Sequence, residues 1–217
     1  PITLNVMKLL RRLIKKSDLE DSFKALVWAA CCLAFNGCLR IHEILSKSAR
    51  HYDPDCTLLT SDLNQKSLQV GGKTVRLICF LRLKSPKEDR VGRDQIIDVY
   101  ETKGKTCPVK ALREWVNLRT FYNIDCPYFT DNSGVCLTGR KLNALLKTLL
   151  EPELGEAGKR FSGPSFRSGM ATMLGKLGFT DEEIQAMGRW KSRCFENYIK
   201  LPRVRRPAMA RRIGSFS

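Results

Sequence analysis

The longest apolar run in the chain, residues 25–35, limits the folds that the sequence can adopt. It stops at Asn36 and is followed by Arg40, so it is shorter than the stretch of about 18 apolar residues that spans a bilayer. Apolar side chains recur at helical spacing through it, at Phe23, Leu26, Val27, Ala30 and Ala34. The pattern predicts a helix with a buried face and no membrane-spanning segment.

Most of the remaining sequence also has helical patterns. We expect a basic amphipathic helix over residues 4–16, and Ser17 or Asp18 as the cap of the apolar helix, which ends at Asn36-Gly37. A short helix begins at IHEIL after Arg40. Further helices are predicted over 108–122, 138–150, 165–177, 180–188 and 191–199, with a short one over 209–213. In the helix that begins at Pro108, the inward side chains are predicted to be Val109, Leu112, Trp115, Val116 and Leu118.

Strand patterns are confined to the middle of the chain. Aliphatic and β-branched residues are enriched over 57–63, 67–70, 74–83 and 96–100. Gly71-Gly72 predicts a turn, and the charged segment KSPKEDRVGRD predicts a hairpin loop before the last strand. The predicted fold is mainly α with a small antiparallel β-sheet (α+β), as one domain over 1–217 whose residues 200–217 form a basic C-terminal tail.

Net charge predicts the class of partner. The chain has 38 basic and 22 acidic residues, a formal charge of +16, which is typical of proteins that bind polyanions. Residues 1–16 contain five basic residues and residues 199–217 contain six, and neither segment contains an acidic residue. Two solvated basic ends that merely aid solubility are the alternative.

The nine cysteines form no CxxC pair, and their number is odd. Since His42 and His51 are the only histidines, the spacing argues against a structural zinc site and indicates free thiols in a reducing compartment. Cys31, Cys32 and Cys38 fall in or beside the apolar helix and are expected to be core residues. Walker A, GxGxxG and HExxH motifs are absent, and we expect no cofactor and no metal.

Three polar residues stand in apolar surroundings. Arg40 follows the apolar helix directly and has Glu43 three residues on, so it either forms a structural ion pair or points into a cleft. Arg167 is the single large polar group in FSGPSFRSGMAT. Tyr198 lies near the end of an apolar-patterned helix, where a buried core tyrosine is the simpler interpretation.

Together these segments resemble the tyrosine recombinases, integrase-like enzymes that cut and rejoin DNA, over nearly the whole chain. NGCLRIHEIL resembles the first arginine box, which implies that Arg40 is a catalytic arginine supported by Glu43. SPKED in the hairpin loop resembles the SKTD pattern of Crypton and DIRS-type mobile elements, which implies Lys87 as the general acid, with Lys84 as the alternative.

The two remaining boxes lie near the C-terminus. GPSFRSGMAT is similar to the GHSFRxGAAT box of the same elements and implies Arg167 as the second catalytic arginine. MGRWKSRCFENYI resembles their GRWxSxxFxxYI box, which implies Tyr198 as the nucleophile and Arg189 or Trp190 as a further phosphate contact.

The resemblance implies a DNA strand transferase that acts through a 3′-phosphotyrosine without a cofactor. Its implied partners are double-stranded DNA and, in a synaptic tetramer, further copies of itself, in the nucleus or another DNA-associated compartment. An N-terminal DNA-binding domain is expected before Pro1, which is not a methionine.

One position departs from the family pattern. Pro164 stands three residues before Arg167, where the family usually has a histidine. Two alternatives to an active recombinase therefore stay open: a DNA-binding module of the same descent that has lost catalysis, and a topoisomerase-like enzyme that nicks and reseals DNA.

Overall fold

The computed structural model describes residues 1–70, 73–83, 95–121, 123–190 and 196, and the elements named here lie within them. The helices are α1 (Leu4–Lys16), α2 (Asp21–Asn36), α3 (Ile41–Ile44), α4 (Pro108–Leu118), α5 (Gly139–Leu154), α6 (Glu156–Lys159), α7 (Gly163–Leu177) and α8 (Asp181–Gly188). The strands are β1 (Leu63–Val70), β2 (Lys73–Leu83) and β3 (Gln95–Tyr100). This arrangement confirms the predicted class, mainly α with a small sheet. In this part of the chain no helix is both long enough and apolar enough to cross a membrane.

Helix α1 confirms the prediction of an amphipathic helix over 4–16. The side chain of Thr3 caps it by accepting a hydrogen bond from the Val6 N–H, and Met7, Leu10 and Ile14 are buried on one face. Its last turn carries Lys15 and Lys16, whose charges suit the negative end of the helix dipole.

Helix α2 begins at Asp21, so the predicted cap at Ser17 or Asp18 was wrong. Ser17 ends the preceding helix instead, because its hydroxyl donates to the Ile14 carbonyl at 2.7 Å and its N–H to the Leu13 carbonyl at 3.0 Å. From Ala25 to Phe35 every residue of α2 is buried, and the helix packs against α4 and α7. Cys31, Cys32 and Cys38 are fully buried, as predicted, and burial raises the pKa of the Cys31 and Cys32 thiols.

The three strands form one antiparallel sheet, as predicted, in the order β1-β2-β3, and the predicted strand over 67–70 is part of the longer β1. Residues 57–62, predicted as part of a strand, are not one: Leu59 makes a single bridge with Pro127, and Thr60–Asp62 form a 3₁₀ turn. The cause is local, since the Asp62 carboxylate accepts the Leu59 N–H at 2.9 Å and so takes a donor that a sheet ladder needs. The predicted turn at Gly71-Gly72 and the hairpin loop over 84–94 lie outside the described residues.

Helix α4 ends at Leu118, four residues before the predicted end. The Asn132 side chain accepts the Thr120 N–H at 2.8 Å and donates to the Leu118 carbonyl at 3.1 Å, which closes the helix there. Val116 and Leu118 were predicted to face inward, but they are 50% and 41% exposed.

The later helices differ from prediction mainly at their ends. Helix α5 continues past residue 150 to Leu154, and α7 begins two residues earlier than predicted, at Gly163. Helix α8 confirms the capping box of Thr180 and Glu183. The helices predicted over 191–199 and 209–213 lie outside the described residues, apart from residue 196.

Helix α7 is held in place by the chain start. The Ile2 N–H donates to the Ser165 carbonyl at 2.8 Å, and Ile2 is fully buried. A Cβ on Gly169 would stand 1.9 Å from the Ile2 carbonyl oxygen, so only glycine permits this close approach. The contact fixes the helix that carries Arg167.

Candidate active site

Arg40 and Glu43 lie together at the start of α3. The Glu43 carboxylate accepts the backbone N–H of Arg40 at 2.6 Å and its guanidinium Nη1 at 3.2 Å. The Glu43 side chain is 13% exposed, whereas that of Arg40 is 52% exposed. Glu43 therefore holds the backbone and the side chain of Arg40 while the guanidinium still faces solvent.

Arg189 joins this pair from the end of α8. Its Nη2 lies 3.0 Å from Oε2 of Glu43, so one carboxylate meets two guanidinium groups. Arg189 has a φ of 56°, in the left-handed region that costs a non-glycine residue about 1–2 kcal/mol. Its Nε and Nη1 are buried and find no hydrogen-bond partner among the described residues, so they can donate to an anionic oxygen.

Arg167 is buried between the segments that carry the other two arginines. Its Nη1 donates to the Cys38 carbonyl at 3.2 Å and its Nη2 donates to the Gly188 carbonyl at 2.6 Å. These carbonyls lie two residues before Arg40 and one residue before Arg189. Arg167 thus ties the ends of α2 and α8 together.

Trp190 covers one face of the Arg167 guanidinium. The central guanidinium carbon lies 4.5 Å from the indole ring centroid, and Trp190 is 6% exposed. Burial lowers the pKa of Arg167, and the nearby charge of Arg40 lowers this pKa further. A guanidinium stays protonated in proteins, so Arg167 remains a cation at neutral pH.

Pro164 lies in the first turn of α7, one helical turn before Arg167. It is exposed, and its side chain offers no hydrogen-bond donor or acceptor. Next to it, Gly163 packs against Ile41 of α3, where an added Cβ would stand 2.6 Å from Cγ2 of Ile41. The N-termini of α3 and α7 are therefore in contact beside the arginines.

The structure thus brings together Arg40, Glu43, Arg167, Arg189 and Trp190, with Pro164 at the edge. The other three predicted site residues, Lys84, Lys87 and Tyr198, lie outside the described residues. Strand β2 ends at Leu83, directly before Lys84.

Sequence reasoning missed two features of this site. The carbonyls of Cys38 and Gly188 orient Arg167, and no side chain signals a backbone acceptor. His42 was considered only as a possible metal ligand, yet it follows Arg40 by two residues, and burial lowers its pKa below the ordinary value. Its neighbours in the arginine box could have drawn attention to it.

Chemically, the cluster is a set of cations around one carboxylate. Three guanidinium groups and Glu43 give it a net positive charge, and planar guanidinium groups bind phosphate oxygens through paired N–H groups. Over the described part of the chain, no group of three or more His, Cys, Asp or Glu side chains is arranged to hold a metal ion. The arrangement is suited to holding a phosphodiester.

No protein-family model matches the sequence, and a comparison with curated proteins gives no match. Among solved structures, the chain is similar to the Tn1549 transposon integrase in complex with circular intermediate DNA, at 16% identity with a TM-score of 0.57, covering 98% of this chain and 66% of the other. The XerH site-specific recombinase bound to its difH substrate is similar at 17% identity with a TM-score of 0.55, covering 95% and 51%.

The FLP recombinase in a Holliday junction complex is similar at 17% identity with a TM-score of 0.54, covering 87% of this chain and 44% of the other. The chain thus spans between about two fifths and two thirds of the length of these proteins. At these identities the similarity reports on the fold. The chain therefore has the catalytic-domain fold of the tyrosine recombinases.

Proposed function

We propose that the chain is the catalytic domain of a DNA recombinase that cuts and rejoins strands through Tyr198. The observation that carries the proposal is that Arg40 and Arg189 share the Glu43 carboxylate while Arg167 binds the carbonyls beside them, although Arg167 and Arg189 lie more than 120 residues after Arg40. A compact group of arginines is suited to the two non-bridging oxygens of a phosphodiester, where negative charge develops during attack.

The proposed reaction exchanges one phosphate ester bond for another. The Tyr198 oxygen attacks phosphorus and forms a phosphotyrosine ester with the 3′ phosphate, while the bond from phosphorus to the 5′ oxygen breaks. The tyrosine proton is lost to solvent or a nearby base, and Lys87, or Lys84 in its place, donates a proton to the departing 5′ oxygen. The ester conserves the energy of the broken bond, and reversal with a 5′ hydroxyl restores the DNA strand.

The partners follow from charge and from the similar structures. The formal charge of +16 favours duplex DNA, and the similar structures are complexes with a Holliday junction, a difH substrate and circular intermediate DNA. We further propose assembly into a synaptic tetramer, descent close to Crypton and DIRS-type elements on the basis of the SPKED and GRW boxes, and a nuclear or otherwise DNA-associated location.

A second candidate function is favoured by Pro164. The proline removes a group that could share a proton with the phosphate, and a general acid or base contributes about 10² to 10⁴-fold to the rate. A DNA-binding module that has lost catalysis would keep the arginines and bind DNA without cutting it. A topoisomerase-like enzyme is the third candidate, and it would form the covalent bond but exchange no strands between duplexes.

The deciding experiment traps the covalent intermediate. Incubation with a nicked duplex that releases a short 5′-hydroxyl product should leave protein joined to DNA, in the presence of EDTA as well as without it. Tyr198→Phe removes only the attacking oxygen, so it should abolish the adduct while DNA affinity changes little. The matched control is Tyr100→Phe, at a tyrosine on β3 that is 49% exposed, which should leave the adduct unchanged.

Two results would contradict the proposal. An adduct that survives Tyr198→Phe moves the nucleophile elsewhere. Binding to the same duplex without any adduct favours the inactive module. Strand exchange between two labelled duplexes separates the recombinase from the topoisomerase-like alternative.

A further inference from the structure

A groove separate from the arginines lies between α1, α2 and α4. Two adjoining cavities of about 350 and about 200 Å³ form it, and Arg11, Trp28 and Glu114 line both of them. The apolar side chains of Ile14, Trp28 and Leu118 also line it. We call this feature the α1–α4 groove.

The charge of the α1–α4 groove is mostly positive. Its basic residues are Arg11, Lys15, Lys24, Lys103, Lys105 and Lys110, against the two acidic residues Asp21 and Glu114. Asp21 is paired with Lys24 at 3.0 Å. The groove therefore carries an excess of cations on apolar walls.

Arg11 stands at the centre of this groove. Its guanidinium carbon lies 6.0 Å from the centroid of the Trp28 ring, and its buried Nε has no hydrogen-bond partner in the part of the chain that the structure describes. A buried donor that lacks an acceptor favours an incoming carboxylate. Trp28 is 5% exposed, so the apolar surface open to an incoming side chain is mainly that of Leu118, which is 41% exposed.

These features favour a protein over DNA as the occupant. Trp28 lies about 12 Å before the end of α2, at about 1.5 Å per residue, and none of the clustered arginines lines the groove. The carboxylates of Asp21 and Glu114 repel phosphates, and apolar walls match side chains better than a phosphate backbone. The occupant should combine acidic and apolar groups.

The corner between α7 and α8 has this combination. Residues 176–183 are all exposed, including Leu177 at 66% and Phe179 at 44%. Asp181, Glu182 and Glu183 follow in the first turn of α8. The shape of the corner is set by two local features. Gly178 ends α7 with a φ of 87°, and the Thr180 N–H donates a hydrogen bond to the Glu183 carboxylate at 2.7 Å.

We propose that the α7–α8 corner of one copy docks into the α1–α4 groove of a second copy, with Leu177 and Phe179 against Leu118 and the exposed edge of Trp28, and the acidic residues near Arg11 and the lysines. Two chains of charge +16 repel each other, so their contact needs an acidic surface opposite a basic one, as corner and groove provide. Because corner and groove are different surfaces, the contact is head to tail and can close into a ring. The inference deepens the assembly in the proposed function, on which it rests.

The test uses two classes of variant of the full chain. The corner variant is Leu177→Ser with Phe179→Ser, and the groove variant is Lys15→Glu with Lys110→Glu, all at exposed positions. The matched control is Ile124→Ser, at an apolar residue that is 54% exposed and belongs to neither surface. Sedimentation velocity measures self-association alone and with a short duplex.

We expect the wild-type chain and Ile124→Ser to associate equally, and the corner and groove variants each to lose at least about tenfold in affinity. Mixing the two defective variants should give a one-to-one dimer and nothing larger, because one intact corner then meets one intact groove. A wild-type chain that stays monomeric under both conditions overturns the inference, as does a mixture that yields no dimer.

Two further measurements distinguish the docking surface from DNA binding by the groove and from the proposed enzymatic activity. A groove variant that reduces the salt dependence of DNA binding but leaves self-association unchanged shows that the groove binds phosphates, which also overturns the inference. The Tyr198 adduct is assayed on the same samples. Wild-type association by this contact without an adduct supports the docking surface and contradicts only the enzyme, whereas an adduct without association contradicts only the docking surface.

Discussion

The guanidinium of Arg167 stacks on the indole of Trp190, with 4.5 Å between the guanidinium carbon and the ring centroid. Gly188, two residues before Trp190, makes room for this contact, because a Cβ at Gly188 would stand 1.6 Å from the Trp190 ring. The indole covers one face of the guanidinium while the carbonyls of Cys38 and Gly188 bind its edge. Trp190 therefore has a positioning role for Arg167 in addition to any contact with DNA.

Replacing Trp190 separates these roles. Trp190→Ala removes a buried ring, and we expect it to lower the free energy of unfolding by about 3–5 kcal/mol. Trp190→Phe keeps a ring face for Arg167, so it should lose less stability. Chemical denaturation and the adduct assay measure both effects. A stable Trp190→Phe variant that forms no adduct would indicate that the indole N–H itself contacts the phosphate.

Glu43→Gln tests the carboxylate shared by two arginines. The amide keeps the shape but loses the charge that Arg40 and Arg189 contact, so we expect a loss of about 1–3 kcal/mol in stability. A double-mutant cycle with Arg189→Met should give a coupling of about 0.5–3 kcal/mol. Additive effects in the cycle would show that the pair contributes nothing to stability.

Gly169→Ala tests the contact between α7 and the chain start. Its Cβ would meet the Ile2 carbonyl oxygen, which belongs to backbone and cannot swing away. We expect a loss of about 1–3 kcal/mol, although alanine is the better helix former. Gly139→Ala is the control, since its Cβ would be 3.4 Å from Ile41, and it should change the melting temperature little. Equal melting temperatures for the two variants would contradict the close approach.

The pKa of His42 predicts a pH dependence of stability. Burial lowers this pKa below the ordinary 6.5, the charge of Glu43 raises it, and those of Arg40, Lys47 and Arg167 lower it further. The unfolded chain therefore binds more protons than the folded chain as pH falls below about 6.5, so the free energy of unfolding should decrease there. His42→Gln should flatten this decrease in urea titrations at several pH values. The exposed His51 provides the control, His51→Gln. A steeper decrease in His42→Gln would contradict the direction of the shift.

The basic tail predicts a salt effect on DNA binding. Removal of residues 200–217 takes away all six basic residues of the C-terminal segment. Each phosphate contact contributes about 0.9 to the slope of log affinity against log salt, so the shortened chain should have a flatter slope. Fluorescence anisotropy over a range of salt concentrations measures this slope. If it stays unchanged, the tail does not contact DNA.

Local signals in the sequence predicted much of the fold. The capping pair of Thr180 and Glu183 fixes the start of α8 within four residues, and the pattern of α1 needs no distant partner. The strand predicted over 57–63 is absent before Leu63 because Asp62 competes for the Leu59 N–H, which hydrophobic periodicity does not report. Val116 was predicted to be buried, but it is exposed. Helical spacing indicates the centre of the apolar face, and it does not indicate how much of that face the neighbouring elements cover.

The sequence likewise predicted only part of the candidate site. Arg40 and Arg167 were indicated by their apolar or small surroundings, whereas Arg189 was implied only by the resemblance of its box to the family pattern. The bond between Arg189 and Glu43 joins residues 146 positions apart, and no local rule predicts such a pair. The left-handed backbone conformation at Arg189 could not be predicted from the sequence either, since glycine is the residue that ordinarily adopts it.

The contacts of Arg167 also affect the conformational entropy that its side chain would lose on binding DNA. An arginine side chain loses up to about 2 kcal/mol of conformational entropy when it is fixed in one rotamer. In Arg167 two of five N–H groups already bond to carbonyls and the plane rests on Trp190, so this loss accompanies folding. Arg40, with 52% of its side chain exposed, still has rotamer freedom to lose. The two arginines would therefore differ in the thermodynamics of binding the same phosphate, with a smaller entropic penalty at Arg167.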